Sequence, residues 1–384
     1  MGLVLKLIAG IAAGILIGLF TPHWVSQILL TFKSLFGELL FFTIPLLILF
    51  FITSGIASLP NNSGKMLGKT LGIAYLSTVC AGIVAFFAAS LVVPWLTTEG
   101  QTAATDVKTV LEPFITLDVP PVLSVMSALV LAFIFGLGIA NTGSQQLKTL
   151  SDQGRNIIEL LLVKVIIPLL PFYIAGVFAE MAVAGTVFST LKTFGVILLL
   201  AVALHWVYIT SMFIIAGLKS GRSPLMLVRN MLPAYFTALG TMSSAATIPV
   251  TLQSVRNNKV DNDVANFTVP LCATVHLAGS TITIVSCTVA VMVLHSSLAI
   301  PGFFTILPFI LMLGVVMLAA PGVPGGAVMS AVGLLGSMLG FGETAVALMI
   351  ALYMAQDSFG TACNITGDGA IAILVDNSDK SGDS

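Results

Sequence analysis

From Leu3 to Leu374 the chain returns again and again to apolar runs about 20 residues long, the length a helix needs to cross a bilayer. That feature excludes a soluble architecture. Charged residues make up only 8% of the chain, so few positions interrupt the runs, and an all-α polytopic membrane protein is expected. The segments fall near 3–20, 27–58, 68–96, 120–141, 156–182 and 190–218, then near 225–254, 263–296, 302–338 and 343–375. The first lacks a small-residue cleavage site after a short apolar core and reads as a retained helix, not a signal peptide.

Lys65, Lys69, Lys148, Arg155, Lys219, Arg222, Arg229, Arg256 and Lys259 lie in or beside alternate connections. The positive-inside rule places those connections, and both termini, in the cytoplasm. The connection 97–119 is acidic and is expected outside; Lys108 and Lys192 are exceptions. Glu38 and Lys164 lie within apolar segments and are read as snorkelling or interhelical groups. Cys80, Cys272, Cys287 and Cys363 show no paired spacing and read as small buried thiols. His23, His205, His276 and His295 are scattered, none at metal-ligand spacing with Cys or Glu. No catalytic residue is assigned, and the chain is not expected to be an enzyme.

Two segments in the second half are broken at mid-length. One runs from Pro224 through Thr241-Met242-Ser243-Ser244-Ala245-Ala246-Thr247 to Pro249, and the other carries Pro321-Gly322-Val323-Pro324-Gly325-Gly326. Proline removes a backbone donor and glycine releases helical torsions, so each segment is expected as two half-helices meeting at a tip. Irregular backbone at membrane depth survives only when packed in protein or lining a polar cavity, and a matched pair of such breaks points to a secondary transporter's binding site. Each break is followed by a segment expected to be full length. The order hairpin, helix, hairpin, helix suggests inverted repeats. Channels use re-entrant loops too, but saturable flux that depends on a cation gradient separates the classes.

Asp357 and Asp368 are the charges of the stretch 345–374. An aspartate at the centre of a membrane helix costs about 2.5 to 3.5 kcal/mol, so it is kept where it has a partner. Asp357, Thr361, Asn364 and Asp368 follow the i, i+4, i+7, i+11 series and share one helix face. With no Lys or Arg among them, the partners are an ammonium group, a metal ion or a proton.

Four ordered motifs resemble those of the dicarboxylate/amino acid:cation symporter family: Thr241 to Pro249, Pro270 to Ser280, Gly322 to Gly326, and Gln356 to Asp368. Within that family the Ser-Ser-Ala-Ala hairpin and Gln-Asp-Ser are similar to the bacterial sodium-dependent serine/threonine symporters. The resemblance implies eight transmembrane helices plus two re-entrant hairpins, a homotrimer in a prokaryotic plasma membrane, and an elevator mechanism. It divides the chain into scaffold helices 1–66, a transport-domain helix 67–97, scaffold 98–189, transport domain 190–376 and a cytoplasmic tail 377–384. The implied substrate residues are Met242, Ser243, Ser244, Ser280, Val323, Gly325, Gly326, Asp357, Gly360, Thr361 and Asn364, with Asp357 pairing the ammonium. Implied for sodium are Asn364 and Asp368, Cys272 and Thr274 through backbone oxygens, and His276, which carries a proton in one reading and is a structural residue in another. Partners are an amino acid and membrane lipid, with no nucleic acid.

Acidic-substrate relatives carry an arginine where this chain has Gly360 or Met242, and the family's usual Asn-Met-Asp-Gly-Thr is here His276-Leu277-Ala278-Gly279-Ser280. The first departure favours a neutral substrate, since a buried side-chain carboxylate would lack a cation. The second removes a carboxylate from one sodium site, leaving Ser77 and Thr78 as its neighbours. The expectation is therefore a sodium-driven symporter of serine, threonine or alanine. A proton- or sodium-coupled carrier of dicarboxylates or acidic amino acids is the alternative.

Overall fold

A computed structural model describes residues 3–58, 64–97, 111–295, 298–318 and 320–380, and every regular element among them is a helix. Lys108 and the tail beyond Lys380 lie outside the described residues. The first part comprises α1 (Leu3–Phe20), α2 (His23–Ala57), α3 (Gly64–Thr97), α4 (Val125–Thr142), α5 (Gln145–Leu161) and α6 (Ile167–Val183). A π-helical stretch, Leu162–Ile166, joins α5 to α6; Pro168 follows it, and its missing N–H disturbs the regular ladder there. Next come α7 (Val187–Ser220), α8 (Pro224–Thr241), α9 (Ser244–Asn257), α10 (Asn262–Val275) and α11 (Ala278–Leu294). The last elements are α12 (Phe303–Met317), α13 (Gly326–Leu339), α14 (Glu343–Met354) and α15 (Asp357–Lys380).

Seven helical stretches among the described residues are long and apolar enough to cross a bilayer: 23–57, 66–95, 125–142, 145–183, 187–220, 262–294 and 357–377. The molecule is an integral membrane protein. α1 packs along α6 through Gly10, Gly14 and Gly18, where a side chain would overlap the backbone carbonyls of Pro171, Ala175 and Ala179. Small residues let membrane helices approach closely, since dispersion and not water release holds them together. α2 packs on α4, α5 and α6. The Lys33 Nζ to Glu180 Oε2 ion pair, 2.7 Å, ties α2 to α6 and gives a charge within an apolar helix its partner. Glu38 Oε2 accepts a bond from the Val119 N–H, in the connection before α4, at 3.2 Å, and Lys164 is exposed, as a snorkelling group should be. Of the four free cysteines, Cys80 is exposed and the others are buried; Cys80 thus departs from the expected burial because its face of α3 is turned outward.

The chain breaks in both places where the sequence signals it. α8 ends on Met242 in the left-handed region (φ 53), and Ser243 is extended, its Oγ accepting from the Ala246 N–H at 3.3 Å to start α9. Gly325 (φ 76) precedes α13, a conformation that lacks strain only without a Cβ. At 14 or 15 residues, α9, α12 and α13 are each shorter than a full crossing.

The segments 263–296 and 343–375 each consist of two helices, an interruption the residues did not signal. The first divides at His276 and Leu277 into α10 and α11, and the second at Ala355 and Gln356 into α14 and α15. No glycine or proline marks either break. Their cause is tertiary and belongs to the site.

Candidate functional site

A helix start leaves its first N–H groups without intrahelical acceptors. At the α11 start those donors are met by Asn364 of α15, whose Oδ1 accepts from Gly279 N at 2.7 Å and Ser280 N at 3.2 Å. Asn364 Nδ2 donates in return to Ser280 Oγ, 3.0 Å. At the α13 start, Asp357 Oδ2 accepts from the Gly325 N–H at 2.7 Å, a carboxylate at the positive end of a helix. The interruptions thus expose backbone donors, and the polar face of α15 receives them. Thr361 Oγ1 donates to the Asp357 carbonyl, 2.9 Å, one turn back.

The turn between α8 and α9 and the turn before α13 meet over this face: Ser243 Oγ donates to the Gly322 carbonyl oxygen at 3.2 Å. Beneath them lies a small cavity. Met242, Ser244 and Val323 line it from the turns, Leu277 and Ser280 from the α10–α11 break, and Tyr353, Asp357, Thr361 and Asn364 from α14 and α15. Its charged lining residue is Asp357, and no Lys, Arg or His among the described residues borders it. About 20 Å³ is open to water centres, room for little more than one water. A larger groove of about 460 Å³ between α3 and α7 is almost wholly apolar, with exposed Leu76, Val84 and Val207 on its walls; its described lining includes Ser77, Tyr208, Ser211 and Lys219 but no carboxylate to receive an ammonium group.

Deeper along α15, Asp368 Oδ1 accepts from His276 Nδ1 at 2.8 Å, both side chains fully buried. That bond places an imidazole hydrogen on Nδ1, and Nε2 lies 3.0 Å from the Tyr208 hydroxyl. Ser77 of α3 closes the chain, hydrogen-bonded to Tyr208 and 3.3 Å from His276 Nε2. Asp368 Oδ2 and the Thr78 hydroxyl are buried with no hydrogen-bond partner among the described residues. An unpaired carboxylate oxygen in such a setting is costly, and a hard cation satisfies it.

Of the expected substrate residues, Met242, Ser244, Ser280, Val323, Asp357, Thr361 and Asn364 line the cavity. Ser243, Gly325, Gly326 and Gly360 do not: Ser243 bonds the opposite turn, Gly325 the Asp357 carboxylate, and Gly326 N donates to Val323 O. Gly360 lies behind the cavity, where a Cβ would meet Thr283 Oγ1 at 3.4 Å and Ser280 backbone at 3.5 Å. Those are ordinary contacts, so Gly360→Ala folds and melts in detergent much as the wild type does. An unfolded variant would show the position to be packed more tightly than this. Among the expected cation residues, His276, Asn364 and Asp368 are buried in the interior, and the Cys272 carbonyl accepts from His276 N at 2.9 Å. Thr274 is exposed and its hydroxyl turns to Leu271 O. Tyr353 was not legible as a site residue; only its position four residues before Asp357 hinted at a shared face.

A buried carboxylate under two opposed helical turns, within a membrane-spanning helical protein, defines a transporter class. The model of the sodium:dicarboxylate symporter family matches residues 3–378, and the chain belongs to that family. It is 29% identical over 259 residues to excitatory amino acid transporter 1 of Ambystoma tigrinum, covering 66% of this chain and 47% of that protein. It is 29% identical over 299 residues to serine/threonine transporter SstT of Streptococcus suis, covering 74% and 81%. The SstT of Enterococcus faecalis is 25% identical over 404 residues, covering 99% and 92%. The chain thus spans about half the length of the first relative and most of the other two.

Proposed function

We propose that this chain is a secondary active symporter importing a small neutral amino acid of the serine, threonine and alanine class, driven by sodium. One observation carries the substrate: the cavity offers Asp357 for an ammonium group and, among the described residues, no cationic side chain for a second carboxylate. Relatives named as serine/threonine transporters support the same reading. The substrate carboxylate is received by backbone donors of the turns at Ser244 and Val323, and Thr361 and Asn364 hold the main-chain groups. Sodium is taken at Asp368, whose Oδ2 lacks a partner, with Asn364 and the Cys272 and Thr274 carbonyls as the expected oxygen donors. The acidic-substrate alternative has the family's own description behind it but leaves a buried carboxylate unpaired.

The transport domain is 67–97 with 190–376, and the scaffold is 1–66 with 98–189, a division supported by α15 packing among α7 to α11 while α1, α2 and α4 to α6 pack on one another. The architecture is eight crossings with two re-entrant hairpins, α8–α9 and α12–α13, as inverted repeats. It assembles as a homotrimer in the plasma membrane, both termini in the cytoplasm, and works as an elevator.

The test is uptake by purified protein in liposomes, with a neutral amino acid panel, aspartate and fumarate offered under sodium or proton gradients. Each net positive charge moved gains about 2.3 kcal/mol per 100 mV, close to 50-fold accumulation, so an inside-negative potential raises serine uptake strongly. Asp368→Asn keeps the His276 contact but removes the charge, and it raises the sodium concentration for half-maximal uptake about tenfold or more. Uptake indifferent to sodium and to potential sinks the proposal.

A further inference from the structure

Tyr353 is fully buried at the end of α14 and lines the cavity. Its hydroxyl stands beside Ser280 and Asp357 yet makes no hydrogen bond of good geometry to either. A buried phenol without a partner is costly, and native interiors rarely leave one. The buried unpaired atoms of its neighbours, Gln356 Oε1 and His205 Nδ1, belong to residues that do not border the cavity. Tyr353 therefore brings to the cavity wall a hydroxyl whose hydrogen-bonding capacity Ser280 and Asp357 do not saturate.

We propose that the Tyr353 hydroxyl reads the β-hydroxyl of a 3-hydroxy amino acid, making the site selective for serine and threonine over alanine. The inference rests on the neutral amino acid reading above and names the substrate within it. In a 3-hydroxy amino acid the hydroxyl sits on the carbon next to the one that bears the ammonium. A ligand with its ammonium on Asp357 therefore brings that hydroxyl to Asp357's immediate neighbour, which Tyr353 is. A phenol both donates and accepts, so it matches a hydroxyl in either orientation. Sites built around such a bond reject analogues lacking the partner, because their own polar group stays unpaired.

Tyr353→Phe keeps the ring and deletes the hydroxyl. In sodium-saturated proteoliposomes, binding is read by displacement of labelled alanine with serine, threonine and 2-aminobutyrate, the last replacing the hydroxyl of serine by a methyl. Wild type prefers serine to 2-aminobutyrate, and Tyr353→Phe weakens serine and threonine about five- to tenfold while alanine stays within twofold. Equal weakening of all ligands, including loss of alanine binding, overturns the inference and makes Tyr353 a support for Asp357. Unchanged affinities overturn it too, and mean that the hydroxyl holds only a water. A wild type that binds aspartate more tightly than any neutral amino acid instead defeats the underlying substrate reading, whatever the variant does.

Discussion

Asp357→Asn abolishes amino acid binding while leaving sodium binding measurable. The amide is close in shape and can still accept from Gly325 N, which Asp357 Oδ2 does now at 2.7 Å, so the hairpin turn stays in place. What is lost is the counter-charge of the substrate ammonium in a buried site. Removing one partner of a buried ion pair costs about 3 to 5 kcal/mol, roughly a hundred- to several-thousand-fold in affinity. Asp368 lies three helical turns further along α15, about 16 Å away, beside His276 and not on the cavity. Sodium titration by calorimetry, with and without serine, separates the roles. A variant that binds serine within tenfold of wild type, or loses sodium equally, shows that the two carboxylates do not divide the work this way.

Gly279→Ala is expected to produce a large structural effect for a single methyl group in the site. An added Cβ would overlap the Gly360 carbonyl oxygen and lie 2.6 Å from Cys363 Cβ, both on α15. Neither is a flexible tip that can swing aside. α11 and α15 must separate, and with them go the Asn364 bonds to Gly279 and Ser280 and the 3.0 Å contact of His205 Nε2 with the Gly279 carbonyl. Overpacking of this kind costs about 1 to 3 kcal/mol, occasionally more, so melting in detergent falls by several degrees and serine affinity drops at least about tenfold. Gly360→Ala, on the facing helix, is the internal control. If the two alanine variants melt and bind alike, close approach at Gly279 is not what holds the site together.

These variants also mark how far the residues alone could be read. The crossings were legible because periodicity and apolar length are local, and a backbone that must satisfy itself in lipid has few other options. The hairpin turns were legible for the same reason: Pro321, Pro324, Gly325 and the Ser243-Ser244 pair alter the backbone where they stand. So was the stripe from Asp357 to Asp368, since helical spacing decides which side chains share a face.

What the sequence by itself determined, then, is that the chain crosses a membrane as helices, breaks twice at tips, and carries a polar face without a basic partner. The tertiary structure alone decided what those groups meet. The α10–α11 break carries no local signal because its exposed donors are satisfied by Asn364, 85 residues from Gly279. His276 reads as a lone histidine until Asp368, 92 residues away, places a hydrogen on Nδ1. Gly360 shares the Asp357 side of the helix, yet α11 fills the space in front of it, while Tyr353 reaches the cavity across a break that no helical spacing rule describes. Hydrogen-bond partners and steric neighbours so far apart in the chain depend on how helices pack, and no local residue pattern contains that information.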